Sequence, residues 1–388
     1  MTPVKCLVVL GDGMADEPIG ELGGLTPLEY AKTPNMDRIA REGATGMLRT
    51  VPPGFEAGSD IANLSILGYD PRTSYTGRGP LEAVSMGVEL GPKDIAYRCN
   101  LSTVENGIMA DFSSGHISSA EGASLLRSLQ DALPEVMVRG GVSYRNLLVL
   151  PGGKGSCTYP PHDIVGQEIA PYLPSGEDAP MLLRCMNTSR SVFSCHPVND
   201  DRKKRGLPPA TQIWPWSGGR KPALAPFEEK YRRRGGVISA VDLLKGIARC
   251  AGLEVIDVPG ATGYLDTDYA AKARYAVSAL RRLDFLYLHV EAPDEAGHLG
   301  NVPEKVRAIE RVDEMLGAIL REFTGVVAVL PDHPTPIRCR THTGDPVPFA
   351  VLGRGSDGSR SFSEREARSG SLGEMEATDL LPFLFGTR

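Results

Sequence analysis

The segment FLYLHVEAPDEAGH (residues 285–298) is an apolar run that leads directly into side chains able to bind a metal. Short apolar runs are typical of buried parallel strands. Similar runs occur at CLVVL (6–10), VVAVL (326–330) and VPFAVL (347–352). Helical patterns separate the runs, around residues 240–248, 269–283 and 303–323. We therefore expect an α/β fold with a mainly parallel sheet flanked by helices.

The middle of the chain has a different character. A length of 388 residues suggests about two domains. From about residue 91 to 236 the sequence is rich in polar turns and Pro/Gly clusters, and the strongest strand and helix patterns lie outside this stretch. We expect a discontinuous core (1–90 and 237–388) that carries an inserted smaller α/β domain (91–236).

Composition excludes several classes of protein. The hydrophobic fraction of 41% and the charged fraction of 23% are ordinary for a soluble globular protein. Net charge is −6 with dispersed basic residues, so we expect no nucleic-acid partner. No stretch resembles a signal peptide or reaches the roughly 18 apolar residues of a membrane span. Seven cysteines without CxxC spacing indicate a reducing cytoplasm rather than a disulfide framework.

Carboxylates and imidazoles gather where the predicted strands end. Because ligands of open α/β sheets bind at the carboxyl ends of the strands, these side chains are expected to lie close together. The residues are Asp12, Asp294, His298, Asp332 and His333 at strand ends, and His342 in a neighbouring connection.

Each of these residues taken singly has an ordinary structural interpretation. Asp12 between glycines suits a tight turn. Asp294 and His298 are four residues apart and would share one face of a helix, which is often a surface pairing. Asp332–His333 could begin a loop. Their joint placement in a chain with only seven histidines favours a metal site.

The ligand types and their number indicate two metal ions. Mixed carboxylate and imidazole ligands suit Mn, Zn, Fe or Co better than Mg or Ca. Six ligands are too many for one tetrahedral ion with an open position. Two ions can clamp the attacking and leaving oxygens of an in-line displacement. Two dications would outweigh three carboxylates, which favours anionic substrates.

Ser59 is the candidate nucleophile. It lies where a Pro/Gly-rich loop (51–58) meets an apolar helical pattern. Spacing alone favours a helix N-cap, for which serine is well suited. The same position would also stabilise a phosphorylated or metal-bound serine, because a helix N-terminus attracts negative charge.

Long segments of the chain resemble the archaeal-type cofactor-independent phosphoglycerate mutases, members of the alkaline-phosphatase-like superfamily of metalloenzymes. The resemblance spans nearly the whole chain. The matching segments are LGDGMADEPIGELGGLTPLEYAKTPNMDRIAREGATG (10–46), VPPGFEAGSDIANLSILGYDP (51–71), TGRGPLEA (76–83), IWPWSGGRKP (213–222), VPGATGYLDTDY (258–269), HVEAPDEAGHLGN (289–301) and THTGDPVPFAVLGRG (341–355).

The resemblance implies an alkaline-phosphatase-like core with two divalent metal ions and an insert that closes over the substrate. The family's phosphoserine falls on Ser59, which replaces the N-cap as the preferred interpretation. One metal would be held by Asp12, Ser59, Asp332 and His333, and the other by Asp294, His298 and His342. Manganese is the usual ion in the wider family, with Zn, Co and Mg as alternatives, and no bisphosphoglycerate would be required.

The resemblance also implies that the insert holds the substrate's carboxylate and phosphate. The longer bacterial mutases use Arg and Asp pairs there, whereas this chain has His162–Asp163. For His116 a structural role remains as plausible as a catalytic one. Candidate catalytic groups are His116, His162 and Asp163, and candidate substrate-binding groups are Arg145, Arg220 and Lys221 in the insert and Lys245 in the core.

The implied activity is the interconversion of 3-phosphoglycerate and 2-phosphoglycerate through phosphoserine. A phosphatase or phosphotransferase acting on another small phosphoester is the alternative of the same superfamily. A non-catalytic metal-binding protein is the alternative of another class. We expect a small-molecule substrate, no membrane partner and a cytoplasmic location; the oligomeric state stays open.

Overall fold

The computed structural model describes residues 4–387. The strands are β1 (Cys6–Gly11), β2 (Ala44–Arg49), β3 (Ile95–Glu105), β4 (Ile108–Asp111), β5 (Met137–Val142), β6 (Arg145–Leu150), β7 (Ser156–Cys157), β8 (Ser175–Gly176), β9 (Gln212–Gly219), β10 (Gly235–Ile238), β11 (Glu254–Val255), β12 (Phe285–Val290), β13 (Val326–Leu330), β14 (Val347–Leu352) and β15 (Glu374–Glu376). The α-helices are α1 (Pro27–Tyr30), α2 (Pro34–Glu42), α3 (Ser59–Ile66), α4 (Pro71–Ser74), α5 (Arg78–Ser85), α6 (Ser119–Ala132), α7 (Ala179–Ser194), α8 (Pro197–Lys204), α9 (Phe227–Tyr231), α10 (Asp242–Cys250), α11 (Tyr269–Leu280), α12 (Ala292–Leu299), α13 (Val302–Leu320), α14 (Glu364–Arg368) and α15 (Leu380–Phe385).

The chain divides into two compact units. The first combines Met1–Tyr75 with Leu224–Arg388, and the second is Thr76–Ala223. Both boundaries of the second unit lie earlier along the chain than those of the predicted insert (91–236). At the first, the backbone N–H of Arg78 donates to Ser217 Oγ over 3.0 Å, within the second unit. At the second, Phe227 stacks on Phe285 with ring centroids 5.0 Å apart, within the first.

The first unit contains the predicted α/β sheet. Its strand order is β11-β10-β12-β1-β13-β14-β2-β15. Pairing is parallel except on both sides of β14, which runs antiparallel to β13 and β2. The central strands are buried along their whole length, as expected for a parallel sheet with helices on both faces. The predicted mainly parallel sheet is thus confirmed.

The register of the three central strands fixes the position of the site. In β1, Leu10 pairs with His289 of β12 and with Leu330 of β13. The three strands therefore end at the same level, and the residues that follow them lie side by side. One long helix, α13, supports this arrangement: its buried residues Ile309, Val312 and others pack into one apolar cluster with those of β1.

The second unit contains an antiparallel sheet of order β4-β3-β6-β5, in which β9 also pairs with β3. Residues of α6 and α7 contribute to its apolar core together with Trp214 and Trp216. Among the described residues, none of the helices has both the length and the apolar character that a bilayer-crossing segment requires.

Candidate metal centre and active site

Three buried carboxylates follow the three central strands. Asp12, Asp294 and Asp332 are 1%, 5% and 0% exposed. Gly13, which has φ +60°, allows the backbone after β1 to pass close to Asp294. A Cβ at Gly13 would meet Asp294 Oδ1 and Thr335 Oγ1 at 2.6 Å. A side chain at this position is therefore excluded both by backbone conformation and by the carboxylate beside it.

The first candidate metal-ligand group comprises Asp294, His298 and His342. Asp294 and His298 share one face of α12, with His298 Nε2 3.2 Å from Asp294 Oδ2. His342 Nε2 lies 3.5 Å from Asp294 Oδ1 and 3.0 Å from His298 Nε2. One ligand atom from each residue lies within 4.8 Å of the others. The predicted shared helical face is confirmed.

The hydrogen bond of His298 Nδ1 fixes the orientation of the imidazole ring. His298 Nδ1 lies 2.9 Å from the carbonyl oxygen of Arg340, to which it can only donate. This contact leaves Nε2 as the nitrogen that faces Asp294 and His342, an orientation suited to a metal ligand. Without a metal, the hydrogen bond with Asp294 raises the pKa of His298 to about 9.

The second group comprises Asp12, Asp332, His333 and Ser59. His333 is fully buried, and its Nε2 lies 3.6 Å from Asp12 Oδ1 and 3.5 Å from Asp332 Oδ2. Ser59 Oγ lies 3.1 Å from the same nitrogen. The structure thus brings together all seven residues predicted as metal ligands.

Helix α3 begins at Ser59, but Ser59 is not its cap. Gly58 occupies the N-cap position, and no side chain caps this helix. The N-cap interpretation of Ser59 is therefore wrong. The serine belongs to the first turn, and its hydroxyl meets His333 instead of the backbone of α3. This leaves the hydroxyl directed at the carboxylate–histidine cluster.

The electrostatics of the cluster fit a bound cation. Burial raises the pKa of Asp12 well above its usual range, and the neighbouring carboxylates of Asp332 and Asp294 raise it further. Asp12 Oδ1 is buried and has no hydrogen-bond partner among residues 4–387. An unsatisfied carboxylate oxygen amid like charges is costly unless a cation is present. The residues present therefore suit two divalent ions.

Polar residues that the sequence analysis did not single out support these ligands. Asn63 Nδ2 donates to Asp332 Oδ2 over 2.9 Å, and the Tyr287 hydroxyl donates to Asn63 Oδ1. Thr335 Oγ1 donates to Asp294 Oδ1. His289 Nε2 lies 3.1 Å from Asp12 Oδ2. The sequence offers one signal for such supporting residues: Tyr287 and His289 carry polar groups within the otherwise apolar strand β12.

The second unit joins several predicted substrate-site residues in one cluster. His162 packs edge-on against Trp216 and Phe112, with ring centroids 5.2 and 6.0 Å apart. Phe112 in turn packs against Tyr144 at 5.5 Å. His116 also packs against Tyr144 at 5.8 Å.

Arginines lie against the same rings. The guanidinium of Arg145 lies 5.3 Å from the Tyr144 ring centroid, and that of Arg98 lies 4.5 Å from that of Trp216. Burial lowers the pKa of Arg98; Glu82 opposes this shift, whereas Arg78 and Arg145 add to it. Guanidinium groups thus converge beside the aromatic rings. We refer to Arg78, Arg98, Phe112, His116, Tyr144, Arg145, His162 and Trp216 as the arginine–aromatic cluster.

Residues with positive φ lie within this cluster and beside it along the chain. Ser114, His116 and Ser217 have φ values of 50°, 48° and 47°. Asp111 holds the first of these segments by accepting the backbone N–H groups of Ser113 and Gly115, both over 2.7 Å. Residues in this conformation are uncommon and tend to occur at functional sites.

The other predicted substrate-site residues have different surroundings. Arg220 and Lys221 are exposed, and Arg220 donates to the carbonyl oxygen of Gly153 over 3.2 Å. Asp163 has a 64% exposed side chain, 3.6 Å from His162 Nε2. Lys245, in the first unit, pairs with Asp257 over 2.7 Å.

Comparison with known proteins places the chain in a family. The family model for 2,3-bisphosphoglycerate-independent phosphoglycerate mutase matches residues 40–199. A protein of that name from Methanothrix thermoacetophila is 52% identical over 389 residues, covering 98% of this chain and 99% of the relative. The chain belongs to this family.

Two further similarities agree with this assignment. A 2,3-bisphosphoglycerate-independent phosphoglycerate mutase 2 from Methanothermobacter thermautotrophicus is 54% identical over 397 residues. The match covers 99% of this chain and 98% of the relative. A solved structure of a Pyrococcus horikoshii protein superposes with a TM-score of 0.88 at 34% identity, covering 100% of this chain and 97% of that one. The family resemblance inferred from the sequence is confirmed.

Proposed function

We propose that the chain interconverts 3-phosphoglycerate and 2-phosphoglycerate through a phosphoserine at Ser59. The observation that carries this proposal is the contact between Ser59 Oγ and His333 Nε2, inside a cluster of buried carboxylates and histidines. A serine in this setting, in a member of the mutase family, is the natural acceptor for a phosphoryl group.

Two divalent ions, manganese for preference, would occupy the two ligand groups. Asp12, Ser59, Asp332 and His333 would hold one, and Asp294, His298 and His342 the other. When bound, such ions lower the pKa of a ligating hydroxyl and neutralise charge on a phosphate. Mixed carboxylate and imidazole ligands favour manganese, zinc or cobalt over magnesium.

Ser59 carries the phosphoryl group between the two halves of the reaction. Its Oγ attacks phosphorus while the bond from phosphorus to the 3-oxygen of glycerate breaks. The N-terminus of α3 favours the resulting negative charge, because its first backbone N–H groups have no partner within the helix. The 2-oxygen of the retained glycerate then attacks the phosphoserine, which restores Ser59 and yields 2-phosphoglycerate.

The arginine–aromatic cluster of the second unit would retain the glycerate. An arginine fork binds a carboxylate through two parallel hydrogen bonds. Arg145 is exposed and lies on the Tyr144 ring, which makes its guanidinium our candidate partner for the glycerate carboxylate. His162 and His116 lie within the same set of rings and are suited to move protons to and from the glycerate hydroxyls.

Arg220 and Lys221 remain weaker candidates for holding glycerate. Both are exposed, and the Arg220 guanidinium already donates to the backbone of Gly153. Lys245 is paired with an exposed carboxylate, that of Asp257. Asp163 remains a candidate proton carrier, because its carboxylate lies 3.6 Å from His162 Nε2.

Three kinetic measurements test the proposal. Protein loaded with Mn²⁺ is given 3-phosphoglycerate without bisphosphoglycerate, and 2-phosphoglycerate is followed by coupling to enolase. Inorganic phosphate is measured in parallel, because a phosphatase would release it in stoichiometric amounts. Ser59→Ala serves as the control for background turnover. Release of phosphate without 2-phosphoglycerate would rule out the mutase in favour of a phosphatase.

We place this activity in the cytoplasm. All seven cysteines lie within the described residues and are unpaired, which suits a reducing compartment. The substrate is a small phosphorylated acid, and the reaction needs no partner protein, nucleic acid or lipid.

A further inference from the structure

His289 is a buried histidine outside the seven predicted metal ligands. It lies on β12, one residue before the strand ends, and is 0% exposed. Its Nε2 is 3.1 Å from Asp12 Oδ2, and its Nδ1 is 3.4 Å from Ser239 Oγ. Both ring nitrogens therefore have polar neighbours inside the core of the first unit.

The partners of the ring determine where its proton lies. A carboxylate that ligates a metal is ionised and only accepts hydrogen bonds, so with Asp12 as a ligand His289 Nε2 carries the hydrogen that faces Asp12 Oδ2. Ser239 Oγ accepts the backbone N–H of Val241 over 3.0 Å and has its own hydroxyl hydrogen available for Nδ1. The serine thus favours the tautomer with the proton on Nε2.

The backbone around His289 holds the ring in place. The His289 carbonyl accepts a hydrogen bond from the ammonium of Lys272, a lysine that is 1% exposed, over 3.1 Å. The next carbonyl, that of Val290, accepts the backbone N–H of Asp12 over 2.8 Å. Asp12 is therefore held at two points, its backbone N–H by the Val290 carbonyl and its side chain by the His289 ring.

We infer that His289 is a positioning residue that occupies Oδ2 of Asp12 and leaves Oδ1 as the single oxygen for the metal. Asp12 Oδ1 is the buried oxygen without a hydrogen-bond partner among residues 4–387, and it faces His333 Nε2 at 3.6 Å. The two oxygens of one carboxylate thus have separate roles. The inference rests on the proposed metal site and adds to it a residue that orients a ligand.

A different role for His289 must be distinguished from this one. Single atoms of Asp12, His289 and Asp332 lie within 4.8 Å of one another, a spacing that a metal ion could also use. Ligation by His289 Nε2 would require a lone pair on that nitrogen. The hydrogen bond to Asp12 places a proton there instead, so the geometry favours orientation over ligation.

Three variants separate the possibilities. His289→Leu removes the donor, and His289→Gln offers an amide donor near the position of Nε2. Ser239→Ala leaves the imidazole but removes the hydroxyl that favours its tautomer. His196→Leu is the matched control, because His196 is a half-buried histidine of the second unit that also contacts a serine, Ser128, at 3.2 Å.

Binding of Mn²⁺ alone, measured by calorimetry and by the electron paramagnetic resonance signal of unbound Mn²⁺, is the readout. We expect His289→Leu to bind two ions at saturation, with one of them weakened about 10- to 100-fold. His289→Gln should stay within a few-fold of wild type, and Ser239→Ala should fall between the two. The control should bind as wild type does.

Two outcomes would overturn the inference. Wild-type affinity in both His289→Leu and Ser239→Ala would show that the hydrogen bond does not orient Asp12. Complete loss of one ion in His289→Leu and His289→Gln, with unchanged binding in Ser239→Ala, would identify His289 as a ligand. If His289→Leu does not fold, wild-type affinity in Ser239→Ala still overturns orientation, and complete loss of one ion in His289→Gln still identifies ligation. Two-ion binding without any mutase activity would instead count against the proposed function.

Discussion

Asn63 donates a hydrogen bond from Nδ2 to Oδ2 of Asp332 over 2.9 Å. The same nitrogen lies 2.8 Å from the carbonyl oxygen of Ser59, one helical turn earlier. Its Oδ1 accepts from the hydroxyl of Tyr287 on β12. One amide therefore links the helical turn that carries Ser59, the proposed nucleophile, to Asp332, a proposed metal ligand in the segment that follows β13.

The first prediction concerns Asn63→Ala. The change removes the amide that donates to Asp332 Oδ2 and accepts from the buried Tyr287 hydroxyl, so we expect kcat to fall about 10- to 100-fold with a smaller change in KM. Unfolding free energy should fall by about 1–3 kcal/mol. Ser65→Ala is the control on the same helix, since the Ser65 hydroxyl donates to the carbonyl of Ile61 in α3 over 2.9 Å. Equal losses in both variants would point to helix destabilisation alone.

The second prediction concerns Ser59→Ala. Turnover should disappear because the phosphoryl acceptor is gone, while stability should change by only about 1 kcal/mol, the value of one lost hydrogen bond. Wild-type protein quenched during turnover should carry one phosphate on Ser59, detectable by peptide mass. An alanine variant that isomerises substrate at a near wild-type rate would place the nucleophile elsewhere.

The third prediction concerns pH and metal binding at His298. Its hydrogen bond with Asp294 raises the pKa of His298 from 6.5 to about 9 in the metal-free protein. The charged pair thus stabilises the metal-free fold fully below pH 6.5, and this contribution disappears as pH rises to about 9. A metal needs the neutral ring, so Mn²⁺ affinity at this site should increase from pH 6.5 to 9.

Calorimetry in buffers of different ionisation enthalpy measures the proton released by His298 on binding. Between pH 7 and 8 we expect close to one proton per ion from this group. His298→Gln should bind more weakly and release fewer protons. A Mn²⁺ affinity independent of pH over this range would contradict the prediction.

The fourth prediction concerns a buried ion pair in the first unit, between Lys305 and Asp16. Lys305 Nζ lies 2.7 Å from Asp16 Oδ2 and also donates to the carbonyl of Thr335 over 2.8 Å. Lys305→Met leaves Asp16 charged and unpaired, so we expect a loss of about 3–5 kcal/mol in unfolding free energy. Arg307→Met is the exposed control on the same helix and should cost below about 1 kcal/mol. Urea unfolding of each variant gives both values.

The sequence predicts the sheet and the clustering of the candidate metal ligands well, because both depend on local patterns. Runs such as VVAVL are buried on both faces, and parallel strands that end together must bring Asp12, Asp294 and Asp332 to one edge. The supporting residues are a different case. Asn63 and His289 act through partners more than 200 residues away in the chain, and no local spacing encodes such a contact.

The domain boundaries and the N-cap show a second limit of the sequence. Phe227 belongs to the first unit because it stacks on Phe285, a contact between distant segments that composition cannot reveal. Gly58 and Ser59 are both acceptable N-cap residues. In the structure the serine hydroxyl contacts His333, in the segment that follows β13, instead of the backbone of α3.

The last prediction concerns glycerate retention by the second unit. Arg145 is the exposed guanidinium of the arginine–aromatic cluster, so Arg145→Met should remove a carboxylate partner while keeping much of its packing on Tyr144. Mutase turnover should fall about tenfold or more, and inorganic phosphate should rise relative to 2-phosphoglycerate, because water reaches phosphoserine after glycerate escapes. Arg220→Met is the matched control: it removes an exposed guanidinium that bonds the Gly153 backbone. If the control alone changes the ratio, Arg220 holds the substrate; if neither variant does, glycerate is retained by other groups.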